Sequence, residues 1–223
     1  MTDANFDVIT FDCYGTLIDW ERGIVNAFQS EAAHDGVQLR HSDIVDAYHI
    51  EEPVVEAGEF RTYREVLTET AMRVAARLGW NLDPERSAFL AASLPGWEPF
   101  ADTNPALERL ARRFKLGILS NVDDDLIAET RRHFTVDFDL IVTAQQVRSY
   151  KPSHNHFKTA LERLEGRRLL HAAQSYFHDV VPCAELSIPV GWVNRKGERA
   201  DSGGPQPTYE VRNLSELADL LRA

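Results

Sequence analysis

The chain has 223 residues, 43% hydrophobic and 26% charged, enough for one good-sized core or for a core with a smaller inserted unit. Its formal net charge of −11 argues against nucleic acid and anionic lipid as partners, although a few local cations could still hold a small anion. Two cysteines, Cys13 and Cys183, cannot build a disulfide framework, and there is no basic leader, no membrane-length apolar run, no repeat and no low-complexity tract, so the expectation is a reduced cytoplasmic protein with no membrane partner.

Residues 6–12 read as a buried strand ending on an acid, Asp12, followed by a Gly15-Thr16 turn. The run from Asp19 to Ala33 has helical spacing, with Trp20, Ile24, Ala27, Phe28 and Ala32 on one stripe. Two more helices are expected near Ser42–Glu52 and Tyr63–Leu78, with Ser42 and Asp83-Pro84 as helix starts. Nothing between residues 19 and 95 reads as a strand, which marks that block as an all-helical insertion. After Pro95-Gly96 strands alternate with helices: helix 105–113, strand 115–121, helix 123–133, strand 140–144, helix 155–164, strand 169–173, helix 178–186 and strand 190–194. A loop at Pro205–Thr208 and a helix at Leu214–Leu221 close the chain. Such alternation implies right-handed crossovers and a parallel sheet covered on both faces.

Ligands of open parallel sheets bind at the carboxyl ends of the strands. Here those ends carry Asp12, Ser120-Asn121, the nearby Lys151, and Gln174, Ser175 and Asp179. Asp12 is either a nucleophile or a turn-capping acid, and its own segment does not decide between them. Lys151 precedes Pro152, which restricts its backbone; beside Asp12 it would keep the carboxylate ionised, and elsewhere it would be a solvated surface group. Ser120 and Asn121 could donate to an anionic substrate or cap the helix that follows, and the two roles are compatible. Asp123-Asp124-Asp125 reads as first-turn acid complementing a helix dipole rather than a metal cluster. Asp179 could orient Lys151 or start a helix. His154, His156, His171 and His178 read as structural or solvated, Cys13 as a small buried hydrophobe facing away from Asp12, and Trp20, Trp80, Trp97 and Trp192 as core or domain-interface residues.

Taken in order, Asp12-Cys13-Tyr14-Gly15-Thr16, Ser120, Lys151-Pro152 and Gln174…Asp179 resemble the haloacid dehalogenase (HAD) superfamily over nearly the whole chain. The resemblance implies a Rossmann-like α/β core, residues 1–17 and 96–223, with an all-helical cap, residues 18–95. Its phosphatase members usually carry Asp two residues after the nucleophile, where this chain has Tyr14, and an acidic pair where it has Ala173-Gln174. Both changes leave a poor magnesium site and imply metal-free catalysis with no cofactor. Asp-x-Tyr-Gly-Thr, Ser120-Asn121, Tyr150-Lys151-Pro152 and Trp192-Val193-Asn194-Arg195 are similar to the type II L-2-haloacid dehalogenases. That likeness implies attack by Asp12 on the α-carbon of a small carboxylic acid, with Thr16, Lys151, Ser175 and Asp179 in support. The backbone around Cys13-Tyr14 and Ser120-Asn121 would hold the substrate, and the resemblance also implies a homodimer through the cap.

Departures from that pattern concern the leaving group. An Arg is expected on the cap to receive halide; His49 stands there, with Arg61 and Arg64 as possible substitutes. Phe157 replaces an expected Tyr. The run His171-Ala172-Ala173-Gln174-Ser175-Tyr176-Phe177-His178-Asp179 and the opening stretch from Thr10 look closer to the azetidine-2-carboxylate hydrolases, which open a strained ring. Further alternatives are a magnesium-dependent phosphatase and a binding protein without chemistry.

Overall fold

Val8–Phe11 (β1) is buried at every position, as expected of a strand with both faces covered. It sits inside a six-stranded sheet in a computed structural model that describes residues 6–200 and 202–223. After β1 the chain leaves the sheet and forms four helices, Trp20–His34 (α1), His41–Glu56 (α2), Tyr63–Arg77 (α3) and Phe89–Ser93 (α4), with no strand among them. These make the inserted helical cap. It then returns through Thr103–Leu110 (α5), Lys115–Ser120 (β2), Asp124–Thr130 (α6), Leu140–Thr143 (β3), Ala144–Val147 (α7), Asn155–Leu164 (α8) and Leu169–Ala173 (β4). A π-helical turn at Tyr176–Val180 leads into Val181–Glu185 (α9), followed by Val190–Val193 (β5), Tyr209–Val211 (β6) and Leu214–Leu220 (α10).

All strand pairs are parallel, in the order β3-β2-β1-β4-β5-β6. Chain order reverses at β1, so the crevice at its carboxyl end is the topological switch point. Register aligns Phe11 with Ile118 on one side and with Ala172 on the other, which brings Asp12, Ser120 and Gln174 to the same edge. Strand β6 was not expected from the sequence. It has only three residues and follows the Pro205–Thr208 loop, where no alternation announces it.

The cap helices follow the apolar spacing, but their ends are set by different groups. Thr62 and Glu65 form a reciprocal capping box at the start of α3. Ser42 does not start α2; Arg40 occupies the cap position without a side-chain bond to the helix backbone and pairs with Asp43 instead. Helix α2 also runs through Pro53, which lies on its exposed side, and ends at Glu56 rather than Glu52, one turn later than the sequence suggests. Asp83 does start a short 3-10 turn, Pro84–Arg86.

The cap leaves and rejoins the sheet through a two-stranded neck. Asp19 N–H donates to Glu98 O at 3.0 Å, Phe100 N–H donates to Leu17 O at 3.1 Å, and Ile18 bridges Pro99. Gly23 packs against the Trp97 ring there; a Cβ at Gly23 would lie 2.3 Å from the indole, so only glycine fits.

Asp123 joins cap to core. It does not cap its own helix; its two carboxylate oxygens accept the backbone N–H groups of Tyr63 and Arg64 at 2.9 Å each, capping α3 across the interface. Asp124 and Asp125 do occupy the first turn of α6, as expected. Asp123→Ala is expected to destabilise the protein by about 1–2 kcal/mol, the upper range for a lost helix cap. Urea denaturation checks this, and protease nicking in the Ala57–Thr62 connection reads the release of α3 from the core. Among the described residues no helix is long and apolar enough to cross a membrane.

Candidate active site

Asp12 follows β1 immediately, and both of its carboxylate oxygens are engaged. Oδ1 accepts from Lys151 Nζ at 2.9 Å and Oδ2 accepts from Thr16 Oγ1 at 2.9 Å. Gly15 makes the turn between them possible with φ +101°, a conformation open to glycine. Thr16 Oγ1 in turn accepts the Gln174 N–H at 2.9 Å, and Arg195 donates to the Thr16 carbonyl at 2.9 Å while paired with Asp102. The loop after β1 is thereby tied to the ends of β4 and β5.

Lys151 is 2% exposed and uses all three ammonium protons, on Asp12 Oδ1, on Asp179 Oδ1 at 2.7 Å and on Leu119 O at 3.0 Å. Burial works to lower its pKa, but the charges of Asp12 and Asp179 outweigh it and hold the ammonium above its usual value. Asp179 is fully buried. Burial works to raise its pKa, yet Lys151 and His171 together hold it below the usual carboxylate range. His171 Nε2 lies 2.9 Å from Asp179 Oδ1 and must donate to it, because an ionised carboxylate only accepts. In the neutral ring Nδ1 then accepts from Thr10 Oγ1 at 2.9 Å. Phe157, where a Tyr was expected, packs edge-on against the His171 ring. Thr10 and His171 thus extend the charge network in a way the sequence did not disclose.

Asn121 positions Lys151 rather than pointing its amide at a ligand. Its Oδ1 accepts the Lys151 N–H at 2.7 Å and its Nδ2 donates to the Lys151 carbonyl at 3.2 Å. Ser120 lines the cavity beside it, and its buried hydroxyl has no partner among the described residues. Ser175 reaches the cavity wall, but its hydroxyl accepts the His178 N–H and pairs with His178 Nδ1 at 3.0 Å, so it caps the following turn. Cys13 is fully buried in the core, and its thiol is pushed to high pKa by burial. Only its backbone is in a position to serve a ligand. The N–H groups of Cys13 and Tyr14 have no acceptor among the described residues. The Tyr14 ring lines the cavity, with its hydroxyl 2.9 Å from Thr130 Oγ1.

The opposite wall belongs to the cap. A cavity of about 410 Å³ lies between Asp12, Ser120, Lys151 and Ser175 on the core and Trp20, Tyr48, His49, Glu52, Glu56 and Tyr63 on the cap. His49 is half-exposed, stacks edge-on against Trp20 and lies 3.7 Å from Glu21. Arg61 is bound to Glu69 and to the Val55 carbonyl, Arg64 is bound to Asp125, and neither lines the cavity. The cap presents carboxyl groups instead. Glu52 accepts from Tyr63 Oη at 3.4 Å, with Tyr48 Oη 3.3 Å from Tyr63 Oη. Burial pushes Glu52 up to about 7 and lifts Glu56, beside it, well above the carboxylate range. The sequence reading missed both. Their spacing from Tyr48, at four and eight residues, was the available signal, since it places them on the inward stripe of α2.

Among the described residues no three His, Cys, Asp or Glu side chains cluster as a metal site would require. Asp12 Oδ1 and Asp179 Oδ1 share the Lys151 ammonium.

The model of the haloacid dehalogenase-like hydrolases matches residues 6–172. Two Pseudomonas putida proteins named (S)-2-haloacid dehalogenase are 30% and 29% identical to the chain, over 96% and 97% of both partners. The solved L-2-haloacid dehalogenase of Xanthobacter autotrophicus with chloropropionic acid covalently bound superposes with a TM-score of 0.84 at 20% identity, covering 98% of this chain and 99% of that one. The chain belongs to the haloacid dehalogenase-like hydrolases.

Proposed function

We propose that this member of the haloacid dehalogenase-like hydrolases cleaves the carbon–halogen bond of a small 2-haloacid by covalent catalysis at Asp12. The observation that carries this is the setting of Asp12. It is a nearly buried carboxylate paired with Lys151, oriented by Thr16 and lining a cavity of small-molecule size. An Asp12 oxygen bonds to the substrate α-carbon as the halide leaves with its electron pair. Water then adds at the Asp12 carboxyl carbon and releases the 2-hydroxy acid, returning Asp12 with one oxygen from water. Lys151 balances the charge throughout, Asp179 and His171 fix Lys151, and Asn121 fixes its backbone. Unpaired N–H groups at Cys13 and Tyr14, with the free Ser120 hydroxyl, suit the substrate carboxylate. Two relatives with the name of this activity, matched end to end, support the reading.

Tyr14 and Gln174 occupy positions where a magnesium-dependent relative carries acids, so no metal is assigned to the reaction. The test is halide release from (S)-2-chloropropionate and (S)-2-bromopropionate, with EDTA and with magnesium. Release that EDTA leaves intact is expected. No halide from either acid, together with magnesium-stimulated phosphate release from p-nitrophenyl phosphate, would overturn the proposal in favour of a phosphatase.

A further inference from the structure

We propose that the loop after β5 is the anion-admitting gate of the cavity: Arg199 draws in the substrate carboxylate at the mouth, and Lys196 ties the loop to the cap. This deepens the preceding section and rests on its reading of the substrate as a small carboxylate.

The charges lining the cavity lead there. Carboxyl groups come from Asp12 and Asp179 on the core, Glu52 and Glu56 on the cap, and Glu198 on the loop. Cations come from Lys151, Lys196 and Arg199. Lys151 is buried at the floor and already holds Asp12 and Asp179. Lys196 is paired with Glu21 on α1, and its ammonium lies 5.8 Å from the centre of the Trp20 ring. The two lining histidines, His49 and His178, are turned to Glu21 and Ser175. Arg199 is exposed and has no hydrogen-bond or ion-pair partner among the described residues. An anion approaching this chain of net charge −11 therefore meets one unspent positive charge, at the rim. A cation placed there raises the local concentration of an anionic substrate.

The loop is braced to carry that charge. Asn194 is buried and spends its whole amide on it. Its Oδ1 accepts the Glu198 N–H at 2.8 Å, and its Nδ2 donates to the Glu198 carbonyl at 2.9 Å and to Glu210 Oε1 at 2.7 Å. Gly197 makes the turn between them with φ +65°. Arg195 lies 4.0 Å over the Phe100 ring and pairs with Asp102, which fastens the base of the loop beside the neck. Lys196 then crosses from core to cap, reaching Glu21 in the first turn of α1. Arg199 directly follows the residue that Asn194 clamps. It works at the entrance, whereas the unpaired Cys13 and Tyr14 N–H groups and the Ser120 hydroxyl lie deeper, so it acts on the encounter and hands the carboxylate inward.

The experiment reads binding of (S)-2-chloropropionate by ligand-observed NMR to D12N, D12N/R199Q, D12N/R199K and D12N/R199E. Asp12→Asn stops turnover and leaves the rim alone. At about 0.01 M salt, where screening is weak, Kd is expected to rise about tenfold with R199Q and further with R199E, while R199K stays near the parent. At about 1 M salt the differences close. In turnover by the otherwise native enzyme, R199Q puts its loss on KM more than on kcat. K196E is expected to raise KM, and K196E/E21K to bring it back, because the swap restores the pair with its signs reversed. Equal affinity of D12N and D12N/R199Q at low salt overturns the proposal, as does a loss that R199K does not rescue. A swap no better than K196E overturns the tie to the cap. Halide release by the wild type with no effect of Arg199 on binding sinks only the gate. Arg199-dependent binding with no halide release sinks only the dehalogenase reading. Neither binding nor release sinks both.

Discussion

Asp12→Asn lowers kcat by about 10⁴-fold or more without unfolding the protein, the scale of loss seen when a covalent nucleophile is removed. The amide keeps the size of the carboxylate and can still accept from Thr16 or Lys151, so the loop and the neighbouring network stay in place. It cannot form the ester. Two measurements check this. Halide release reports the rate, and circular dichroism reports the fold. A third makes the assignment specific. With wild-type enzyme in excess over haloacid in oxygen-18 water, the first turnover places the label in the Asp12 peptide and leaves the product unlabelled. Label in the product alone would mean that water attacks the substrate directly, and Asp12 would then be a base.

Lys151→Met is expected to cost about 3–5 kcal/mol of stability, the range for breaking a buried ion pair by removing one partner. Lys151 serves Asp12 and Asp179 together, so its loss leaves two buried carboxylates facing each other. The methionine side chain matches the aliphatic part and adds no strain. Urea denaturation at pH 7 measures the loss. Because the damage is electrostatic, lowering the pH should restore part of it by protonating one carboxylate. Lys151→Met/Asp179→Asn should be more stable than Lys151→Met alone. If the double variant is no better than the single, the penalty is packing rather than charge.

The core half of this site was legible because it lies at strand ends. Asp12 and Ser120 are polar residues at the ends of apolar runs, Lys151 stands before a proline in the loop that follows β3 and α7, and a parallel sheet converges such ends on one edge. Cap residues carried no such punctuation. Glu52 and Glu56 look like ordinary surface acids until α2 is known to continue through Pro53 and to turn that stripe inward. Proline normally ends a helical pattern, so the pattern stopped one turn short of Glu56. Thr10 and His171 were hidden for another reason. Each lies inside a strand that reads as plain core, and their link to Asp179 depends on the β1–β4 register, which no local pattern encodes. Asp123 was correctly placed at a helix start, but the helix it caps is sixty residues upstream.

The neck through residues 17–20 and 97–100 carries one more consequence. The two ends of the cap are fastened side by side, so everything from α1 to α4 is a loop whose closure is already made. Lengthening or exchanging such a loop changes its closing entropy only slowly with length and leaves the sheet register alone. Asp12, Thr16 and Lys151 sit on the sheet side of the cavity, and the cap supplies the wall that faces them. One nucleophile can therefore be inherited unaltered while the range of bonds it breaks is rewritten by swapping helices above it.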